Sequence, residues 1–185
     1  MRRRGFTLIE VLMVIAIIGI LASIALGSLN SARDSARKAT AKAQLRAIRT
    51  GVALLEADTG KWPNGCPPGN INATNEILLS TGAAGLVSSP TVGVTEAPNC
   101  QWTAEEVANW RGPYIPVGVD PWNNPYYFDP DYATDGTLRR NCPTTGANSV
   151  PNKTVVYSAG PNRSAINAYD CDDIVYLLYE GTLVP

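Results

Sequence analysis

Three groups of residues in this chain have types and spacing that could do chemistry. The first is Glu10, the one ionisable side chain in the apolar run FTLIEVLMVIAIIGILASIALGSL, residues 6–29. A carboxylate at mid-bilayer costs about 2.5–3.5 kcal/mol on insertion scales, and side chains that bear such a cost face a partner. Its chemistry would be ion pairing with an ammonium group. The second is the acidic stretch SAGPNRSAINAYDCDD, residues 158–173, where Asn162, Asp170, Asp172 and Asp173 offer the oxygen donors that calcium prefers. The spacing is not that of an EF-hand, and solvated acids or Asx turns are the alternative. The third is Cys66, Cys100, Cys142 and Cys171, which show no CxxC spacing and so argue against a zinc or thioredoxin-like site. An even number behind an export-type N-terminus points to disulfides in an oxidising compartment. Four cysteines allow three connectivities. The expected one is Cys66–Cys100 with Cys142–Cys171, each pair closing one loop-rich stretch; unpaired small core residues are the alternative. The chain has no histidine, the commonest general base and transition-metal ligand. No acid pair sits in a recognisable catalytic motif, so the sequence reads as non-enzymatic.

The element that must position Glu10 is a helix. At a rise of 1.5 Å per residue, the run over residues 6–29 reaches roughly 36 Å, enough to cross a hydrocarbon core of about 30 Å. Arg2, Arg3 and Arg4 in front of it place the N-terminus in the cytoplasm and the remainder outside. An ordinary secretory signal has a shorter apolar region, a small-residue cleavage site and no acid near its start. A cut between Gly5 and Phe6 would put the new amino group one helical turn from Glu10, a partner on the same chain or a neighbour. A snorkelling acid in a plain anchor is the alternative.

No turn signal follows. Leu45, Ile48, Val52 and Leu55 recur at spacings of three and four, Ala41 extends the stripe, and Gly60 is a natural stop. These features predict one helix over residues 6–58, about 80 Å long, with residues 6–29 in lipid or a filament core and residues 30–60 as its amphipathic continuation. Gly19 and Gly27 are places where it could loosen or pack closely. Arg33, Arg37, Lys38, Lys42, Arg46 and Arg49 form either a solvated face or a surface that meets acids of adjacent heads.

The remaining residues read as a small head. Residues 61–110 are a loop-rich insertion, with a short helix expected at 75–80 and a helical turn at 103–109. Residues 111–185 read as a small β-sheet with the acidic loop. The motifs NNPYYF, TLRRN and TVVYSAG predict two or three antiparallel strands, the last over 154–158, and IVYLLY at 174–179 adds another. The fold class is α+β: a long N-terminal helix laid on a small antiparallel sheet. Asn72, Asn152 and Asn162 begin N-x-S/T sequons, a short motif of low specificity. Trp62, Trp102, Trp110 and Trp122 suggest either core packing or carbohydrate stacking. A net charge of −1 over 185 residues argues for no obligate nucleic-acid partner.

The segment RGFTLIEVLMVIAIIGILASIAL resembles the class III signal of type IV pilins and pseudopilins. That resemblance implies cleavage after Gly5 by a prepilin peptidase, N-methylation of Phe6, and a Glu10 that neutralises a neighbouring subunit's terminus during assembly. Gly27 stands where many relatives carry proline. EADTGKWPNG, WRGPYIPVGVDPWNNPYYFDP and YSAGPN with DCDDI are similar to the helix exit, strand entry and calcium loop of the major pseudopilin of type II secretion systems. The resemblance therefore implies a calcium ion near Asn162, Asp170, Asp172 and Asp173. The loop departs from the family's pattern at Asn162, Arg163 and Cys171, and a Cys142–Cys171 bridge is another way to hold it.

The expected function is a structural subunit that homopolymerises into a type IV pilus or pseudopilus-like helical filament. Its expected partners are copies of itself, prepilin peptidase, inner-membrane assembly machinery and, before assembly, the cytoplasmic membrane. The finished filament lies outside the cytoplasm or on the cell surface. A monomeric membrane-tethered module that binds sugar or peptide is the alternative.

Overall fold

The structure is a computed structural model describing residues 7–70, 76–93, 100–116, 118–134, 150–164 and 172–180. It contains helix α1 (Leu8–Thr59), strand β1 (Ile77–Leu78), a 3-10 turn (Gly82–Ala84), helix α2 (Ala104–Asn109) and strands β2 (Tyr126–Thr134), β3 (Val150–Ser158) and β4 (Ile174–Glu180). The four strands form one antiparallel sheet in the order β1-β2-β3-β4. This is the α+β arrangement expected from the sequence.

α1 runs unbroken through Gly19 and Gly27. It ends where predicted: Gly60 adopts a positive φ of 71° and its N–H reaches the Glu56 carbonyl at 2.7 Å, so a carbonyl otherwise left open is capped. Residues 1–38 form one compact unit and residues 39–185, the head, a second. Within the head, Ala41, Leu45, Ile48, Val52 and Leu55 are all buried, as the apolar spacing required. They join Tyr126, Phe128, Val156 and Ile174 of the sheet in one core with Trp62, Trp102 and Leu86. Gly51 explains itself in this packing. A Cβ there would lie 2.5 Å from Ile115 Cγ2 and 3.0 Å from the Tyr114 carbonyl oxygen. The approach offsets the cost of about 1 kcal/mol that glycine carries in a helix.

Two expectations for residues 61–110 come out differently. The helical turn after Thr103 forms as α2, with a capping box in which Thr103 and Glu106 satisfy each other's backbone N–H groups. The short helix expected at 75–80 does not form. Ile77 and Leu78 are instead β1, paired with Phe128 and Tyr127. Ile77 and Leu79 are buried while Leu78 packs on the opposite face, so a period of two, set by the adjoining strand, overrides local helix tendency.

The strands alternate between two apolar faces. Tyr126, Phe128, Val156, Ile174, Tyr176 and Leu178 face the α1 core, whereas Tyr127, Tyr132, Val155, Tyr157, Val175 and Leu177 make a second cluster. Tyr127 stacks on Tyr157 with ring centres 5.2 Å apart, and Tyr132 lies 5.5 Å from the same ring. Apolar clusters on both faces of the sheet, against which Val175, Tyr176, Leu177 and Leu178 pack half-buried, account for the nearly continuous apolar run of β4. Pro130 is accommodated at an irregularity between Asp129 and Tyr132, where a missing N–H is tolerated, and its carbonyl accepts from the Thr154 hydroxyl. The strand expected over TLRRN lies outside the described residues.

Candidate functional site

The N-terminal site starts at Thr7. Its N–H and hydroxyl both donate to Glu10 Oε2, at 2.9 and 2.8 Å, and the Glu10 N–H returns a longer bond of 3.4 Å to the Thr7 hydroxyl. This is a capping box, which satisfies open N–H groups at the helix start and sets a negative charge at the positive end of the helix dipole. Gly5 and Phe6 lie outside the described residues. Thr7 was not singled out from the sequence, although T-x-x-E ahead of an apolar run is the capping-box signature.

Around and after Glu10, the large apolar side chains in the N-terminal part of α1 are open to solvent. Leu8 is 78% exposed, Ile17 48% and Ile24 68%, and among the described side chains of this apolar stretch none is buried. α1 is long and apolar enough to cross a membrane. Arg33, Arg37, Lys38, Lys42, Arg46 and Arg49 are all exposed, and the Arg49 guanidinium lies 5.5 Å over the Tyr176 ring.

The Cys66–Cys100 disulfide is formed, with a Cα separation of 5.0 Å. It ties the turn after α1 to the segment entering α2. Lys61 reinforces the same junction through a 3.3 Å ion pair with Glu106. Cys142 and Cys171 lie outside the described residues.

The acidic stretch is held by a buried hub. Asp120 Oδ1 accepts from the N–H groups of Trp122 and Asn124, at 2.9 and 2.8 Å, and Oδ2 accepts from Asn124 Nδ2 and the Ser158 hydroxyl. Asn124 Nδ2 also donates to the Gly160 carbonyl at 2.7 Å. Asn162 and Asp172 are brought together. Asn162 donates its N–H to Asp172 Oδ2 at 3.0 Å and its Nδ2 to Asp172 Oδ1 at 2.7 Å. Asp173 is held elsewhere, accepting from the hydroxyl of buried Tyr132 at 3.1 Å. Burial, and then Asp173, push the Tyr132 hydroxyl above the ordinary tyrosine range. Asp170 lies outside the described residues. The donors are of the oxygen type calcium takes, but an ion at Asp172 would have to displace the N–H groups of Asn162. Asp120 and Asn124 were not named as site residues from sequence; the Asp-Pro-x-Asn-Asn turn signal is their trace.

A lone acid one turn into an exposed apolar helix, followed by a small α+β head, defines a prepilin-type protein. Residues 1–26 match the family described as the prokaryotic N-terminal methylation motif. The chain is 31% identical over 131 residues to the type II secretion system core protein G of Pseudomonas aeruginosa, covering 69% of this chain and 76% of that one. It is 32% identical to the core protein G of Aeromonas hydrophila, over 68% of this chain and 71% of the relative, and 30% identical to that of Escherichia coli, over 68% and 70%. The chain belongs to the type II secretion system core protein G family, the major pseudopilins. No solved structure matches it.

Proposed function

We propose that the chain is a non-catalytic pseudopilus subunit. It is made as a membrane-anchored precursor, cut after Gly5 by prepilin peptidase, methylated on Phe6, and passed by inner-membrane assembly machinery into a homopolymer. The observation that carries this reading is the apolar N-terminal part of α1, its described large side chains from Leu8 to Ile24 exposed, bearing one carboxylate held at its start. Lipid covers that face in the precursor; neighbouring helices cover it in the filament, where burial is worth roughly 25 cal/mol per Å². Contacts repeated head to tail build an open helical assembly. Glu10 then meets the amino terminus of the adjoining copy.

The tethered binding module is disfavoured by where the tryptophans sit. Trp62, Trp102 and Trp122 are 4%, 0% and 8% exposed, and Trp110 packs on the core with its indole N–H bonded to the Gly85 carbonyl. The three buried indoles lack the open face that stacking on a sugar needs, and half-buried Trp110 is engaged edge-on with Tyr114.

Mass spectrometry of the mature N-terminus together with electron microscopy of sheared filaments tests the proposal. A methylated Phe6 and filaments lost in Glu10→Ala are expected. A retained Met1 on a permanently monomeric protein overturns it.

A further inference from the structure

Three stretches of backbone meet at the end of β3: residues 120–124, 158–164 and 172–173. The first two are joined by Asp120 to Ser158, by Asn124 to the Gly160 carbonyl, and by Arg163 Nη2 to the Trp122 carbonyl at 3.2 Å. The second and third are joined by the paired bonds from Asn162 to Asp172. The Asn162 amide is oriented from both ends. Its Oδ1 accepts the Ser164 N–H at 2.7 Å, which leaves Nδ2 facing the carboxylate. Gly160 lets the strands of this junction touch, since a Cβ there would lie 2.3 Å from the Asp172 carbonyl oxygen.

A divalent cation in such a place would neutralise Asp172 and cross-link the two loops. Groups of the chain already occupy both Asp172 carboxylate oxygens and link the two loops. Asn162 presents N–H donors, which attract a carboxylate and repel a cation. Arg163, held at a left-handed φ of 63°, reaches the first stretch through its bond to the Trp122 carbonyl. We propose that the Asn162–Asp172 clamp, with Arg163 beside it, closes the acidic loop in place of a calcium ion, so that the head folds independently of calcium. Calcium-independent assembly of the filament follows from this only if the pseudopilus reading also holds.

Thermal melting of the full-length protein in detergent, in millimolar calcium and in EGTA, tests the clamp. The wild type is expected to melt within about 1 °C in the two buffers, and Asn162→Ala to melt about 3–8 °C lower in both, as befits loss of a charge-assisted hydrogen bond. Asn162→Asp, which exchanges the donors for a second carboxylate, is expected to become calcium-responsive by several degrees. A calcium shift of that size in the wild type overturns the proposal, as does an Asn162→Ala variant that melts like the wild type. An Asn162→Asp protein that ignores calcium removes Asn162 as the residue standing in for the ion. Filament yield is scored separately: no filaments in either buffer with unchanged melting counts against the pseudopilus reading and leaves the clamp intact, whereas filaments lost in EGTA alone overturn calcium-independent assembly.

Discussion

Thr7 grips the carboxylate of Glu10 through two donors, its N–H at 2.9 Å and its hydroxyl at 2.8 Å, both on the same oxygen. The acid is thereby oriented at the start of α1 by its own chain. Glu10→Ala is expected to insert into membranes normally and to form no filaments, scored by membrane fractionation and electron microscopy. Thr7→Val removes the hydroxyl but keeps the backbone donor. It is expected to weaken the helix start by about 1 kcal/mol, seen as faster amide exchange in the first turn, and to reduce rather than abolish assembly. Normal filaments from the Glu10→Ala variant would remove the carboxylate from the mechanism.

The Cys66–Cys100 bridge closes a stretch of sequence separation 34. On the chain-entropy account such a loop is worth about 3–4 kcal/mol. The Cys66→Ser and Cys100→Ser double variant is expected to melt several degrees below the oxidised wild type. Reducing the wild type should produce the same fall, whereas reductant should leave that part of the loss unchanged in the variant.

Gly160 sits at a φ of 62° with the Asp172 carbonyl against its α-carbon. Gly160→Ala combines a left-handed alanine with a clash that only backbone movement can relieve. A loss of about 1–3 kcal/mol or more is expected, whereas Gly69→Ala, also at positive φ but with open space around it, should lose only the conformational part. Comparing their denaturant midpoints separates strain from collision.

Tyr126 and Tyr132 are buried in the head, and burial raises both hydroxyls above the ordinary tyrosine range; Asp120 adds to the first and Asp173 to the second. An unfolded tyrosine ionises near pH 10. A phenol whose folded value is raised contributes stability that is complete below the unfolded value and lost as pH climbs towards the folded one. The melting temperature is therefore expected to be insensitive to these groups at neutral pH and to fall steeply above about pH 10. Tyr132→Phe should flatten that alkaline slope while costing stability at neutral pH, because Asp173 loses a donor. Melting curves paired with tyrosinate absorbance would reveal the reverse if these side chains ionise freely in the folded protein.

Much of the fold is legible along the chain because the signals are local and periodic. The stripe Ala41–Leu45–Ile48–Val52–Leu55 needs only the helical repeat to be recognised, and Thr103 with Glu106 needs only three residues of context. β1 is illegible for the opposite reason: Ile77 and Leu78 become strand because Phe128 and Tyr127 lie alongside them. The second apolar face of the sheet is hidden in the same way, since Tyr127, Tyr132 and Tyr157 meet only once β2 and β3 are in register.

By itself, then, the sequence determined the long helix, its division into an apolar half and an amphipathic half, its stop at Gly60, and the isolation of Glu10. These depend on hydrophobic period and helix chemistry within a few turns. Only the tertiary structure decided that Asn162 faces Asp172 while Asp173 turns to Tyr132, that Asp120 anchors the acidic loop from a distance, and why a glycine stands at position 51. Those choices depend on which distant segments are brought within hydrogen-bond or van der Waals reach. Residue types along one chain record the capacity for such contacts; the folding of the sheet against α1 selects among them.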